Sequence, residues 1–431
     1  MPRKSQANTT QDAEIMFPRV LMLLSALALV VIGLLMVYSA SFVQAISNEV
    51  DGMYYVTRQA AAVALGVGMM IVVLRGFPMS VWEGNITYVA ALVVTVVLLC
   101  TMAAGVALGG AQRWIDILGV RFQPSEFTKI ILVITVAKLL NDLFEQNTPP
   151  LQLAAYAFGF VAVPLALILV AQSDLGTTLI CCVGVFAAAW AGGVNRFILI
   201  GVVLLGIAVV VAAILGSDYR SNRLINMNPW NDGKNGLGDG YQLIHSFYGF
   251  AEGGIFGVGL GSGSEKYLYL TQAESDFIFS VIGEELGLVG AMVVVFLFLA
   301  FLYAGLQIAF HANNNFACMV GCGLTVMLVF QAFLNIMCAT GVLPTTGKPL
   351  PFISHGGSSM MSSLVIVGFL WSISRESAGQ DKYARKRENF TLLTNEERTK
   401  RSYTSKRSYS QELGGEQYAV RAQRGRNSRP Y

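Results

Sequence analysis

Three segments of the chain combine ionisable side chains with glycine, proline and hydroxyl residues at the ends of long apolar runs. The first runs from 113 to 129, the second from 220 to 287 and the third from 341 to 359. Ionisable groups at a membrane edge are costly to keep there and are therefore candidates for function. Basic residues beside an acid at a lipid–water boundary suit a lipid-linked anionic substrate such as a pyrophosphate.

Asp276 is the candidate for proton transfer. It stands where a polar stretch meets a long apolar run, and partial removal from water there suits a carboxyl that works as a general base. An aspartate that caps the following helix is an equally natural interpretation, and spacing alone does not separate the two. The nearby Gly253–Gly263 run allows tight turns, but no Gly-Lys-Ser/Thr follows it, so it is not a nucleotide loop.

The other two segments each offer two interpretations. Pro124 and Glu126 suit the first turn of a helix, where an acid meets the positive end of the dipole. Glu126 and Lys129 could be a functional pair or a simple i,i+3 pair on a well-capped helix. Lys348 and His355 could bind an anion, whereas a lysine at the membrane edge also commonly extends its amine to water.

The composition determines where these segments must lie. The 431 residues are 54% hydrophobic and only 13% charged, with a mean hydropathy of +0.58. Soluble domains average about 25% charged residues. The sequence therefore predicts an integral membrane protein of the all-α polytopic class, long enough for about ten transmembrane helices with their loops.

Apolar runs locate the expected spans. They are Val20–Tyr38, Gln59–Leu74, Tyr88–Leu108, Phe127–Leu143, Leu151–Val170, Leu175–Ala191, Phe197–Leu215, Phe277–Phe310, Ala317–Ala339 and Ser359–Ser374. The eighth run is too long for one ordinary span, so we expect it to start as an interfacial or tilted helix holding Glu284 and Glu285. A large extracytoplasmic loop, residues 216–276, is predicted between spans 7 and 8. Its length and aromatic content favour a functional loop over a disordered one.

The charge distribution predicts the orientation. Residues 374–431 hold 14 Lys/Arg against 7 Asp/Glu. This excess favours a disordered, basic cytoplasmic tail over 375–431. An even number of spans then also places a cytoplasmic N-terminal segment at 1–19, before a ten-span membrane domain at 20–374. All three ionisable segments fall on the outer face in this topology.

The six cysteines lie inside apolar runs, which predicts buried free thiols rather than disulfides. Cys318 and Cys322 are one helical turn apart, but neither a histidine nor a carboxylate beside them completes a metal site. We therefore predict that no protein side chains form a metal centre.

Ordered motifs in these segments resemble the SEDS family (shape, elongation, division and sporulation proteins), which includes FtsW, RodA and SpoVE. The resemblance covers roughly residues 18–375. It is carried by Met36–Ser41, Arg113-Trp114, Gln123–Glu126 with Lys129, Asp174–Thr177, Tyr241-Gln242, the Gly253–Gly263 run, Asp276–Phe279, Glu284-Glu285 and Pro351–Ser359.

The resemblance implies a glycosyltransferase of the cytoplasmic membrane that polymerises lipid II into peptidoglycan strands on the outer face. Asp276 would be the catalytic base. The implied substrate-binding residues are Arg113, Trp114, Glu126, Lys129, Arg220, Arg223, Gln242, Lys348, Ser354, Gly356, Gly357 and Ser358. No organic cofactor is expected, although a divalent cation (Mg or Mn) could share the pyrophosphate charge. The implied partners are a cognate class B penicillin-binding transpeptidase and other divisome proteins, with no nucleic acid.

Two features favour a division-type role at the septum, namely the Tyr38–Ser41 ending of the first run and the basic tail. An elongation or sporulation role is the alternative within the family. A flippase of the lipid-linked precursor is the alternative outside it, and a non-catalytic scaffold is a third. The sequence departs from the family pattern at Ser173, Thr271-Gln272, Glu274, Lys348 (usually aliphatic) and His355 (usually Tyr).

Overall fold

The computed structural model of the chain describes residues 4–108, 111–117, 120–146, 148–215, 229–231, 236–238, 240–267 and 269–377. Its helices are α1 (Lys4–Ser47), α2 (Tyr54–Gly76), α3 (Met79–Trp82), α4 (Ile86–Ala104), α5 (Ser125–Phe144), α6 (Pro150–Ala171, with two π-helical turns), α7 (Leu175–Ala191), α8 (Arg196–Leu215), α9 (Tyr241–Gly253), α10 (Ile278–Phe310), α11 (Asn315–Ala339) and α12 (Gly357–Ser377).

Each predicted apolar run lies in one of these helices, apart from the end of the third run and Phe277, which directly precedes α10. In the described part of the chain, seven helices are long and apolar enough to cross a membrane: α1, α2, α4, α6, α10, α11 and α12. The shorter apolar helix α7 and the apolar helix α8 add to these, and α5 carries charged residues. A polytopic helical fold is therefore confirmed, whereas the total of ten spans stays a prediction.

A small antiparallel sheet follows α4 and corrects the all-α expectation. Its strands are β1 (Val106–Leu108), β2 (Ala111–Ile117) and β3 (Val120–Phe122), in the order β1-β2-β3. The predicted third span, Tyr88–Leu108, was too long at its end, because α4 ends at Ala104 and the last three residues form β1. Three apolar residues after a helix read the same whether they continue it or begin a strand.

The helix α10 is broken at Gly287, whose backbone has φ +68° and ψ −169°. The part before the break holds Glu284 and Glu285, and its interfacial or tilted placement stays a prediction. Backbone groups on both sides of the break form hydrogen bonds with the connection between α9 and α10, residues 254–277, which we call the glycine-rich loop. Val258 N–H donates to the carbonyl of Glu284 at 3.0 Å, and Leu288 N–H donates to the carbonyl of Gly254 at 2.9 Å.

Close packing of small residues joins the central helices. A Cβ on Gly323 of α11 would lie 2.5 Å from Val133 of α5 and 3.0 Å from the carbonyl of Gly184 in α7. Small residues allow membrane helices to approach closely. Charges on α5 are satisfied inside the protein, since Lys138 pairs with Asp142, which also accepts a hydrogen bond from Tyr88 at 2.8 Å.

Gly257 provides a test of how tightly the loop fits the broken helix. Its φ is +81°, and an added Cβ would lie 2.2 Å from the carbonyl of Glu285. We expect Gly257→Ala to lower stability by about 1–3 kcal/mol because the backbone is strained and the loop must shift. The measurement is the melting temperature of the purified protein. Gly68→Ala in α2, where an added Cβ meets open space, is the control and should not lower it.

Several predictions fall outside the described residues. They are the substrate-binding roles of Arg220 and Arg223, most of the first half of the 216–276 loop, and all but the first three residues of the 375–431 tail. All six cysteines are free, but burial is confirmed only for Cys181, Cys322 and Cys338. Cys100 and Cys182 are exposed on the protein surface and Cys318 is half-buried, because an apolar run in a membrane helix also has a face that does not pack against the protein.

Candidate active site

Asp276 lies half-buried at the end of the glycine-rich loop, two residues before α10 begins. A Cβ on Gly347 would be 3.6 Å from its Oδ2 atom, so the segment 341–356 passes directly beside the carboxylate. The side-chain amide of Asn335 donates to the carbonyl of Asp276 at 2.9 Å and to that of Lys348 at 2.7 Å. One amide of α11 therefore holds both loops at the carboxylate.

Ser354 joins the same two loops from the other end. Its hydroxyl donates to the carbonyl of Ser275 at 2.5 Å and accepts from the Leu350 N–H at 2.7 Å. The N–H of His355 donates to the carbonyl of Glu274 at 2.8 Å. The main chain at Glu274, Ser275 and Asp276 is thus fixed by hydrogen bonds, which limits where the Asp276 side chain can point.

Lys348 is buried, with only 4% of its surface exposed. Its Nζ donates to Asp174 Oδ2 at 2.5 Å and to the Thr177 hydroxyl at 2.6 Å. Burial alone would raise the pKa of Asp174, but the Lys348 ammonium, the Thr177 N–H and Arg113 hold it below its usual range. The amine of Lys348 is therefore engaged at the start of α7.

Arg113 and Trp114 lie on β2, beside the same helix start. The Arg113 guanidinium donates from Nε to the carbonyl of Gln172 at 2.7 Å and from Nη2 to that of Ser173 at 3.0 Å. Both side chains are half-exposed. The strand thus presents the Arg113 cation next to Asp174, while Trp114, the next residue, points to the opposite face of the strand.

Glu126 and Lys129 form a buried ion pair at 2.7 Å, as the i,i+3 spacing predicted. Lys129 Nζ also donates to Gln331 Oε1 at 2.6 Å, and Gln331 Nε2 donates to the carbonyl of Pro349 at 3.0 Å. The ion pair is therefore connected to the 341–356 segment through Gln331. The amine of Lys129 donates to the side-chain oxygen atoms of Glu126 and Gln331.

The remaining predicted residues lie around the same segment. The hydroxyl of Ser358 accepts from the Gln123 N–H at 2.9 Å. Gly356 N–H donates to Gln59 Oε1 at 3.3 Å, and Gly357 begins α12. Gln242 of α9 donates to the Thr271 hydroxyl at 2.5 Å. The three ionisable segments therefore meet, as far as the described residues cover them.

The side chains that could bind a metal ion are not grouped in the described part of the chain. In the described ranges no group of three or more His, Cys, Asp and Glu side chains is placed to hold a metal ion. We therefore derive no step through a protein-bound metal, and the divalent cation stays a prediction.

His355 is the one histidine of the 341–356 segment. Its ring contacts Tyr55 edge-on, with 5.3 Å between ring centres. Burial, and then the charge of Arg58, lower the pKa of His355 to about 4. The imidazole is therefore neutral near pH 7, which does not favour a cationic contact to pyrophosphate at that pH.

The lowered pKa of His355 predicts a pH-dependent stability. The unfolded chain takes up the proton near pH 6.5, whereas the folded protein takes it up only near pH 4. Stability is thus fully present above pH 6.5 and is lost as the pH falls towards about 4. The melting temperature should decrease more between pH 7 and pH 5 in the wild type than in His355→Phe. Equal decreases in the two proteins would contradict the assignment.

Sequence reasoning missed the residues that hold the site together: Gln59, Gln331, Asn335 and Lys266. Gln331 and Asn335 are polar residues inside the apolar run Ala317–Ala339, and Gln59 begins the run Gln59–Leu74. A polar side chain at such a position was the available signal. Gln59 is buried in α2 and donates to the carbonyl of Ser354 at 2.9 Å. Lys266, in the glycine-rich loop, carried no comparable signal.

The fold and these buried polar networks define a polytopic membrane protein whose loops are fixed onto its helices. A family profile described as "Cell cycle protein" (FtsW/RodA/SpoVE) matches residues 19–379. The chain belongs to this family.

Individual relatives agree over nearly their whole length. A probable peptidoglycan glycosyltransferase FtsW of Geobacter sulfurreducens is 36% identical, covering 83% of this chain and 95% of that protein. Stage V sporulation protein E of Bacillus subtilis is 34% identical, covering 84% and 98%.

Solved structures share the fold. A chain from a structure titled "Structural coordination of polymerization and crosslinking by a peptidoglycan synthase complex" has a TM-score of 0.65 at 25% identity, covering 83% of this chain and 97% of that chain. The rod shape determining protein RodA of Thermus thermophilus has a TM-score of 0.58 at 22% identity, covering 83% and 96%.

Proposed function

We propose that this protein is a peptidoglycan glycosyltransferase that polymerises lipid II, with Asp276 as the general base. The observation that carries the proposal is the placement of Asp276. Its carboxylate lies beside Gly347 of the 341–356 segment. The Asn335 amide joins this segment to the glycine-rich loop, because it donates to the main-chain carbonyls of both Asp276 and Lys348. The names of the curated relatives support the reaction class.

The proposed reaction is a single displacement. Asp276 takes the proton from the 4-hydroxyl of the acceptor sugar, and that oxygen attacks the anomeric carbon of the donor. The bond from that carbon to the pyrophosphate breaks, and undecaprenyl pyrophosphate leaves with the bonding electron pair. An α-linked diphosphate becomes a β-linked glycan in one inversion, so one base suffices and no covalent intermediate is needed.

The leaving pyrophosphate requires stabilising charge. Arg113, half-exposed on β2, supplies the cation closest to the surface among the described candidates near Asp174. Lys129 and Lys348 are bonded to carboxylates inside the protein. We therefore assign these two lysines to holding the site in shape, and Arg113 with Trp114 to contacting the substrate.

The cellular role is proposed on the same basis. Several relatives are named FtsW, and one solved neighbour comes from a complex that couples polymerisation to crosslinking. These names support a division-type enzyme that works with a class B penicillin-binding transpeptidase. The proposed site then faces the outer side of the cytoplasmic membrane, with both termini inside.

The test uses the purified full chain with its cognate transpeptidase and lipid II. We expect glycan polymer, detected by gel electrophoresis of labelled product. A protein that moves labelled lipid II across vesicles but makes no polymer would be a flippase, and the proposal would be wrong. A protein that does neither would be a scaffold.

A further inference from the structure

The glycine-rich loop that carries Asp276 is fastened to α10 by two adjacent carboxylates. Glu284 accepts hydrogen bonds from the N–H groups of Ser264 and, at 3.2 Å, Glu265. Glu285 accepts from the Gly261 N–H at 3.0 Å and from Lys266 Nζ at 2.7 Å. The turn 261–266 therefore wraps around both side chains.

The same contact reaches the first helix. The Ser39 hydroxyl of α1 lies 2.6 and 2.8 Å from the two carboxylate oxygens of Glu285, and Lys266 Nζ also donates to that hydroxyl at 3.0 Å. Glu285 is 1% exposed and Lys266 is 5% exposed. We call Ser39, Lys266, Glu284 and Glu285 the carboxylate clamp.

The clamp continues to Asp276 through the rest of the loop. The carbonyl of Glu265 accepts from the Leu270 N–H at 2.8 Å, and Leu270 and Ala273 are buried in the core. Ser275 and Phe277 N–H groups then bond to the carbonyl of Gln272. The position of residue 276 thus depends on where residues 261–266 are held.

We propose that Lys266, with Glu285 and Ser39, is a positioning group for the reaction: it holds the Asp276 loop against α1 and α10. This inference rests on the proposed function. Lys266 does not touch substrate, because its amine is bonded inside the protein. It acts by fixing the distance from the Asp276 carboxylate to the acceptor hydroxyl, and a displacement of about 1 Å can cost on the order of 100-fold in rate.

The test compares Lys266→Met, Glu285→Gln and the double variant in the lipid II assay. Each single variant leaves one buried charge without its partner. We therefore expect kcat to fall at least tenfold in each single variant with KM for lipid II unchanged. The double variant should be no slower than the slower single variant, because both charges are gone. Ser39→Ala, which removes one neutral donor, should give a smaller decrease.

The control is Lys138→Met/Asp142→Asn, a buried pair on α5. Lys138 lies 13 residues after the start of α5, about 20 Å along its axis. This variant should keep kcat. Hydrogen exchange of the amides of 261, 264 and 265 supplies a readout without activity. It should rise in the Lys266 and Glu285 variants and stay unchanged in the Lys138/Asp142 control.

Three outcomes overturn the inference. They are an unchanged kcat in Lys266→Met, a raised KM with unchanged kcat, which would make Lys266 a substrate contact, and unchanged exchange of the three amides. If the wild type makes no polymer, the proposed function fails, and the exchange experiment alone decides whether the clamp holds the loop.

Discussion

Replacing Asp276 by asparagine is expected to abolish polymer formation while leaving the fold intact. Asparagine has nearly the same shape but takes up no proton, so the acceptor hydroxyl loses its base. General-base catalysis typically contributes about 10²–10⁴-fold, and we expect a loss in that range. Asn335 donates to the main-chain carbonyl of Asp276 and Ser354 donates to that of Ser275. Neither hydrogen bond involves the side-chain atoms that the substitution changes.

The measurement is the initial rate of glycan synthesis from lipid II, with the melting temperature recorded for each variant. Asp51→Asn is the matched control, since it makes the same change at an exposed aspartate in the loop between α1 and α2. Its rate should equal that of the wild type. Polymer made by Asp276→Asn at the wild-type rate would remove Asp276 from the role of base.

The second large effect is expected for Asp174→Asn, on stability. The change keeps an oxygen acceptor for the Thr177 N–H at the start of α7 but removes the charge that pairs with Lys348. Breaking one side of a buried pair leaves an uncompensated charge, at a cost of about 3–5 kcal/mol. Asp174→Asn/Lys348→Met removes both charges and should recover most of that loss.

Thermal unfolding of the three proteins measures this effect, and rates separate the roles of Lys348. If Lys348 bound the pyrophosphate directly, Asp174→Asn would leave its amine free to bind the substrate. The KM for lipid II would then not rise. The lowered pKa of Asp174 also sets the pH dependence. The contribution of the pair is present above the ordinary pKa of an aspartate and is lost only as the pH falls below that value. A single variant as stable as the wild type would rule out this account.

The sequence predicts the helices well because apolar runs in a membrane protein have few alternative conformations. It fails at residues 106–108, 111–117 and 120–122, which form strands. It also predicts that Asp276, Glu126 and Lys129 belong to one site, since each stands at or near the end of an apolar run. The structure connects Lys129 to the 341–356 segment through Gln331. Which amine meets which carboxylate is not visible in sequence, because Lys348 and Asp174 are 174 residues apart.

The candidate substrate contacts show the same limit. Lys348 and Lys129 are candidate substrate contacts by sequence, and the structure pairs each with a carboxylate of the protein. Charge pairing depends on helix packing rather than on local pattern. The lone polar residues Gln331 and Asn335 of α11 illustrate the converse: they look like isolated defects in an apolar run, yet each fixes a main-chain carbonyl of the 341–356 segment.

The break at Gly287 has a consequence for how the protein folds. A helix interrupted inside an apolar run leaves peptide groups unpaired, and in hydrocarbon each costs several kcal/mol. The backbone of residues 254–259 supplies those partners at Glu284, Glu285, Leu288 and Val289. The loop therefore cannot detach while α10 stays in place. Loop and helix form a single cooperative unit, so Asp276 reaches its position in the same folding event that completes the eighth predicted span.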